Sequence, residues 1–300
     1  MIEIPKPMKE MVDVKEEDGK IKKKLLEIAN THKCCVLGFI ASYRPAKVTP
    51  TKFERAEVGL SEEFGIEQAI LDIKEKFSDI NKCFVLLNSP GGLVDSSYKI
   101  AYLLRKSFDD ITIFIPHMAL SGGTLIALSG NIIVMGPMSQ LSPLDVQLAT
   151  ENYQFSTKSV LSAFWRAENY FSKVDVEDAP YPWKSFADQL NPILFEECSA
   201  FLQTMKEYTK KILIMGMFSK QEEKAEEIST KLVYEFPTHS YVINPEEAEK
   251  LGLKVVSYKN YLKEWNVFRE WLAIYAPQST DKHFIRYVVP KETKNETNII

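Results

Sequence analysis

The chain has 300 residues, 45% of them hydrophobic and 26% charged, with a formal net charge of −4. A chain of that length buries roughly three quarters of its unfolded surface, so it folds without a metal or disulfide, and the mild acidity argues against nucleic acid as the main partner. The four cysteines, Cys34, Cys35, Cys83 and Cys198, form no C-x-x-C pair, which excludes a zinc knuckle or redox motif and points to reduced, mostly buried thiols in a cytoplasmic protein.

Residues 1–24 are charged and carry Pro5 and Pro7, the pattern of a flexible N-terminal arm. They contain no signal-peptide core. The first apolar run, Cys34 to Ala41, is far short of the roughly 20 residues a membrane span needs. A short helix is expected over 21–30, and "CCVLGFIAS" reads as a buried strand. Residues 44–59 are polar with two prolines and read as an exposed loop. "SEEFGIEQAILDIKEKF" (61–77) spaces Ile66, Ala69, Ile70, Ile73 and Phe77 for one face of a helix.

The most regular block spans 81–148. "CFVLLN" is a continuous apolar run ending in "SPGG"; "LVDSSYKIAYLLRKS" has helical periodicity; "ITIFIP", "GGTLIALSG" and "NIIVMGP" come next as strand, helix and strand. Buried strands alternating with helices predict parallel βαβ units. Residues 151–191 are aromatic and polar and carry no clear periodicity. Helices are expected over 192–217, with Pro192 at the first position after Asn191, over "KQEEKAEEISTKL", and over "NPEEAEKLGL" with Asn244 as its cap. The organisation expected is an arm (1–24), a domain over 25–256, and a C-terminal helical extension and tail (257–300).

Two stretches carry chemistry. "NSPGG" ends a strand before a helix, so the backbone N–H groups of Gly91 and Gly92 can face an anion, and glycines allow close approach. "ALSGGT" puts Ser121 at a second strand-to-helix turn, where the N–H of Gly122 offers another donor. Read alone, Ser121 is better explained as a helix cap than as a nucleophile. The two turns lie one βαβ unit apart, which brings both to the carboxyl edge of a parallel sheet, where sites cluster. A nucleophilic serine needs an oriented base. His117 and His239 are the candidates, and spacing does not choose between them. Asp145, after the third strand of the block, can orient a histidine or cap the next element.

The ordered set "NSPGGLVDSSYKIAYLLR", "ITIFIPHMALSGGTLIALSGNIIVMGPMSQLSPLDVQL" and "PTHSYVINPEEAEKLGL" resembles the serine dehydrogenase proteinase family. That family is related to the Clp protease proteolytic subunit and signal peptide peptidase A within the ClpP/crotonase fold. The resemblance implies an α/β fold of repeated βαβ units with added helices, with 25–256 as the peptidase domain. It implies a serine endopeptidase that works through an acyl-enzyme: Ser121 as nucleophile, His239 as base, Asp145 as its orienter, and Gly91, Gly92 and Gly122 as the oxyanion hole. It also implies a peptide or protein substrate and a homo-oligomer. The sequence departs from the family in having Ser142-Pro143-Leu144 before the aspartate, Ser240-Tyr241 after the histidine, and no initial membrane-spanning helix.

No metal-ligand cluster and no phosphate-binding loop of the G-x-x-x-x-G-K-[ST] type are written here, so no cofactor is expected and energy-driven unfolding falls to a separate regulatory partner. Two other readings stand beside the peptidase. One is a non-catalytic ClpP-like assembly or peptide-binding module, with aromatics at 151–190 and 257–275 as contact surfaces. The other is an acyl-CoA hydratase or thioesterase of the crotonase type, whose backbone donors hold a thioester enolate.

Overall fold

A six-stranded sheet built from the apolar runs organises the molecule. The computed structural model describes residues 14–41, 46–47, 53–54, 56–149, 154–279 and 282–291. Helix α1 (Val14–His32) comes first and turns Ile21, Leu25 and Ile28 inward, at the spacing that lines one helical face. The described part of the expected arm is therefore helix, anchored by the burial of Ile21. Strand β1 (Cys35–Ile40) is buried along its whole length. A short antiparallel pair comes next, β2 (Ala46–Lys47) with β3 (Phe53–Glu54), and then α2 (Leu60–Lys76).

The regular block folds as read: β4 (Lys82–Asn88), α3 (Val94–Ser107), β5 (Asp110–Ile115), the two-residue β6 (Met118–Ala119), α4 (Gly122–Ala127), β7 (Ile132–Met135) and β8 (Gln140–Leu141). Beyond it lie β9 (Gln147–Ala149), β10 (Gln154–Ser156), α5 (Thr157–Phe171), α6 (Tyr181–Asp188), α7 (Pro192–Met215), α8 (Glu222–Thr230), α9 (Pro245–Lys250), β11 (Val255–Ser257), α10 (Leu262–Tyr275) and β12 (Phe284–Val288). The stretch without clear periodicity thus holds α5 and α6. Aromatic contacts join these helices, as where Tyr170 stacks on Trp183 at 4.0 Å.

Strand order in the main sheet is β11-β7-β5-β4-β1-β12. Neighbours run parallel except at the last edge, where β12 lies antiparallel to β1. Alternation along each strand splits the core into two layers. Cys35, Leu37 and Phe39 of β1 and Cys83, Val85 and Leu87 of β4 face the layer under α2, α3 and α7. Val36, Ile40, Phe84 and Leu86 face α1 and α10. Residues 257–300 were expected as an appended extension, yet Phe268 and Trp271 of α10 are core residues and β12 is a sheet strand.

Candidate active site

Ser121 stands at the N-cap position of α4 with φ 49° and ψ −119°, and its side chain makes no cap hydrogen bond. A non-glycine residue held there costs about 1–3 kcal/mol and persists only where the surroundings impose it. The surroundings do so. The Ser121 N–H donates to Ser142 Oγ (2.7 Å), and the Leu120 N–H donates to the Ser89 carbonyl (3.0 Å). Thr124 Oγ1 lies 2.8 Å from the Ala119 carbonyl and 3.0 Å from that of Ser142, and it accepts from the Ser142 N–H at 3.1 Å. Backbone and hydroxyl groups on both sides hold the turn, and the Ser121 hydroxyl is left free of bonds to described residues.

The glycine turn lies against it. Ser89, at the end of β4, bridges Ala119 of β6. Gly91 has φ +93°, and a Cβ there would sit 2.5 Å from the Leu120 carbonyl oxygen and 3.0 Å from the Gly122 nitrogen. At Gly92 a Cβ would fall 2.2 Å from the Val58 nitrogen. Val58 clamps this turn from the other side: its N–H donates to the Gly91 carbonyl and its carbonyl accepts from the Leu93 N–H, both at 2.8 Å. Residues 44–59 were expected as an exposed loop, but Ala56 and Val58 are fully buried. Pairing with the glycine turn pulls that end of the segment inside.

Of the three expected oxyanion donors, the structure commits one. The Gly91 N–H donates to Ser89 Oγ (3.1 Å). The N–H groups of Gly92 and Gly122 have no acceptor among the described residues. A Cβ at Gly122 would stand 3.3 Å from the Gly92 nitrogen, so the two free donors are neighbours.

His239 Nδ1 lies 3.0 Å from Asp145 Oδ1. Asp145 is fully buried at its side chain, whereas that of His239 is 27% exposed. Ser156 Oγ donates to the other carboxylate oxygen at 2.6 Å. Burial alone would raise the Asp145 pKa, but hydrogen bonds from His239 and Ser156 and the charge of Lys158 hold it below the usual carboxylate value. Lys158 Nζ donates to the Phe236 carbonyl and so fastens the segment that leads to His239.

Two ties bring this pair toward Ser121. Leu141 and Ile243 exchange backbone hydrogen bonds at 2.9 and 3.0 Å, and the Leu144 N–H donates to the Leu232 carbonyl at 2.9 Å. Ser142, which holds the Ser121 N–H, is three residues from Asp145, a span of at most roughly 11 Å. No hydrogen bond joins Ser121 to His239 here.

The other histidines stand elsewhere. His117 is exposed and has no acidic partner among the described residues. His32 pairs with Glu264 at 2.7 Å, joining α1 to α10. His283 is buried and reaches Ser89. Ser142, Ser156, Lys158, Ser89 and His283 were given no role from the sequence, since their contacts with Ser121, Asp145 and Phe236, and that between Ser89 and His283, bring together residues distant along the chain. All four cysteines are buried and unpaired. Among the described residues no group of three or more His, Cys, Asp or Glu side chains could hold a metal ion.

A model of the ClpP-like SDH-type serine proteinases matches residues 67–299. The chain belongs to this family. Two uncharacterized proteins of Methanocaldococcus jannaschii are similar to this family member over 171 residues, or 57% of its length. MJ1495 is 30% identical over 51% of its own length, and MJ0137 is 32% identical over 52%. The chain thus spans about half the length of the curated relatives it matches. Among solved structures, 1510-N, a membrane-bound stomatin-specific protease, is similar at 16% identity and a TM-score of 0.44, covering 70% of this chain and 80% of that one. A second structure of 1510-N, in complex with a substrate peptide, shows 18% identity and a TM-score of 0.42, with 67% and 71% covered. No helix of the described residues is long and apolar enough to cross a membrane.

Proposed function

We propose that the protein hydrolyses peptide bonds through an acyl-enzyme, with Ser121 as nucleophile, His239 as general base and Asp145 as its orienter. The observation that carries this reading is the bond between His239 Nδ1 and the buried, ionised Asp145, fastened to the segment that holds the strained Ser121. With its Nδ1–H on the carboxylate, His239 presents Nε2 as the acceptor for the Ser121 proton. Ser121 Oγ attacks the carbonyl carbon, and the carbonyl oxygen becomes an oxyanion between the N–H groups of Gly92 and Gly122. His239 returns the proton to the leaving amine. Water then attacks the ester with the same histidine as base.

Support comes from the family to which the chain belongs and from the free pair of glycine donors beside Ser121. The proposal extends to a peptide or protein substrate and to a homo-oligomer in the cytoplasm under a separate regulator. Exposed apolar side chains on α5 to α7, among them Trp165, Tyr181 and Ile193, favour self-association, which sedimentation equilibrium tests.

The activity test is reaction with a fluorophosphonate probe alongside hydrolysis of an unfolded protein substrate. Both are expected in the parent protein, and both are expected to vanish in Ser121→Ala and His239→Ala. Labelling of Ser121→Ala as strong as that of the parent sinks the assignment.

A further inference from the structure

A second serine–histidine–carboxylate array lies buried behind the glycine turn. Ser89 Oγ and His283 Nε2 are 2.8 Å apart. His283 Nδ1 faces Glu62 Oε1 at 3.6 Å, slightly beyond hydrogen-bond length, and makes no hydrogen bond of its own. All three side chains are closed to solvent: Ser89 is 0% exposed, and the side chains of His283 and Glu62 are 0% and 5% exposed. No substrate reaches them, so this array is not a second catalytic centre. Its connections show what it does hold.

One end grips the oxyanion turn directly, because Ser89 Oγ accepts the Gly91 N–H. The other end grips it through a detour. Glu62 Oε2 accepts the Gly59 N–H at 3.0 Å and the Ser61 hydroxyl at 2.8 Å, which fixes the residue after Val58. Val58 in turn pairs with the turn on both sides of Gly92. A ring results: Gly91, Ser89, His283, Glu62, Gly59 and Val58, returning to Gly91, in which His283 meets Glu62 Oε1 through its backbone N–H at 3.4 Å and through the facing Nδ1. His283 is the link that enters from the far end of the chain, one residue before β12. Its ring is stacked on Phe39 of β1 at 4.2 Å.

We infer that His283 is a positioning residue for the oxyanion hole: through Ser89 and Glu62 it holds the Gly91–Gly92 turn so that the Gly92 N–H stays free and aimed beside Ser121. This rests on the peptidase reading above. The chemistry dictates a direction. The Glu62 carboxylate facing Nδ1 can only accept, which leaves Nε2 to accept the Ser89 hydroxyl proton while Ser89 Oγ accepts from Gly91. The ring proton then sits on Nδ1, facing the Glu62 carboxylate. Such an array is polarised from end to end, and buried polar groups of this kind resist displacement because moving away forfeits the Ser89–His283 and Gly91–Ser89 hydrogen bonds where no water replaces them. The C-terminal strand is by this account part of the active-site scaffold.

The test uses the full chain with Ser89→Ala, His283→Leu and His283→Gln, the last keeping a polar atom near the Nε2 position. Removing a single oxyanion donor costs about 10²–10³ in rate, and a misplaced donor is expected to cost about ten- to a hundredfold. Fluorophosphonate labelling of Ser121 and kcat for a peptide should fall by that factor in Ser89→Ala and His283→Leu. KM should stay within about twofold, and His283→Gln should recover part of the loss. Amide hydrogen exchange at Gly91, read by NMR, should quicken in the same order, and the parent His283 should show the Nδ1–H tautomer. Folded Ser89→Ala or His283→Leu protein that labels at the parent rate overturns the inference, as does an Nε2–H tautomer. If His283→Leu does not fold, Ser89→Ala decides alone. A parent that fails to label at Ser121 sinks the peptidase reading, and the exchange and tautomer data still decide whether this ring holds the turn.

Discussion

His239 Nδ1 meets Asp145 Oδ1 at 3.0 Å although 94 residues separate them. Nothing local builds this contact. It depends on the paired backbones of Leu141 and Ile243 and on the Lys158 ammonium that holds the Phe236 carbonyl. Asp145→Asn preserves the shape but replaces a charged acceptor with an amide that can favour the wrong imidazole tautomer. The rate of Ser121 phosphonylation is expected to fall by about 10³–10⁴. A drop of less than tenfold would show that the aspartate serves the fold and not the base.

The Ser121 backbone leans on one hydroxyl. Ser142→Ala leaves the Ser121 N–H without its acceptor at 2.7 Å, and an orphaned, half-buried donor costs about 1–3 kcal/mol. Urea denaturation should register a loss in that range, and labelling of Ser121 should slow in parallel. Unchanged stability would mean that the turn keeps its geometry without Ser142.

Two glycines should respond in opposite ways to the same change. In Gly92→Ala the new methyl meets the Val58 backbone at 2.2 Å, where neither strand can give way without opening the turn. Labelling is expected to fall at least a hundredfold, by analogy with the loss of one oxyanion donor at about 10²–10³. Gly19, inside α1, has nothing within 4 Å of its Cβ position, so Gly19→Ala should stabilise by about 0.5–1 kcal/mol and leave labelling intact.

Acid should weaken the fold in steps whose signs are set by three buried groups. Burial raises the Glu62 carboxyl, but the adjacent His283, whose backbone N–H donates to Oε1, and the Ser61 hydroxyl outweigh it and bring the pKa from 4.5 to about 2. A depressed carboxylate contributes stability above its unfolded pKa and loses it as pH falls toward the folded value. Glu62 therefore contributes stability above pH 4.5 that disappears as the pH falls toward about 2. Asp145 acts in the same direction. His283 is lowered by burial, which outweighs the opposing pull of Glu62. The unfolded chain then takes up a proton near pH 6.5 that the folded chain refuses, so stability starts to decline below that point. The urea midpoint should fall from about pH 6.5 downward in the parent, and His283→Gln should lack that first phase.

Much of the scaffold was legible because continuous apolar runs bounded by glycines have few alternatives as buried parallel strands. β1, β4, β5 and β7 appear where those runs lie, and Ser121 and Gly92 fall at their carboxyl ends. The limits are equally physical. Val58 lies in a mostly polar segment with no apolar periodicity, and only its pairing with Gly91 and Leu93 reveals its place. Ser142, Ser156 and Lys158 act on atoms 21, 11 and 78 residues away, a separation that no periodicity records. His283 falls within the segment expected as an extension and tail, and only the pairing of the next residues with β1 places it in the sheet.

The central claim is that Ser121 reacts between two backbone donors and one oriented histidine, and a crystal structure of the phosphonylated protein tests it most directly. The account predicts phosphorus on Ser121 Oγ, with the phosphoryl oxygen about 2.7–3.1 Å from the nitrogens of Gly92 and Gly122. It also predicts His239 Nε2 within about 3.2 Å of the Ser121 oxygen or of the leaving-group position. An adduct on another residue, or a phosphoryl oxygen turned away from both glycines with His239 out of reach, would contradict it.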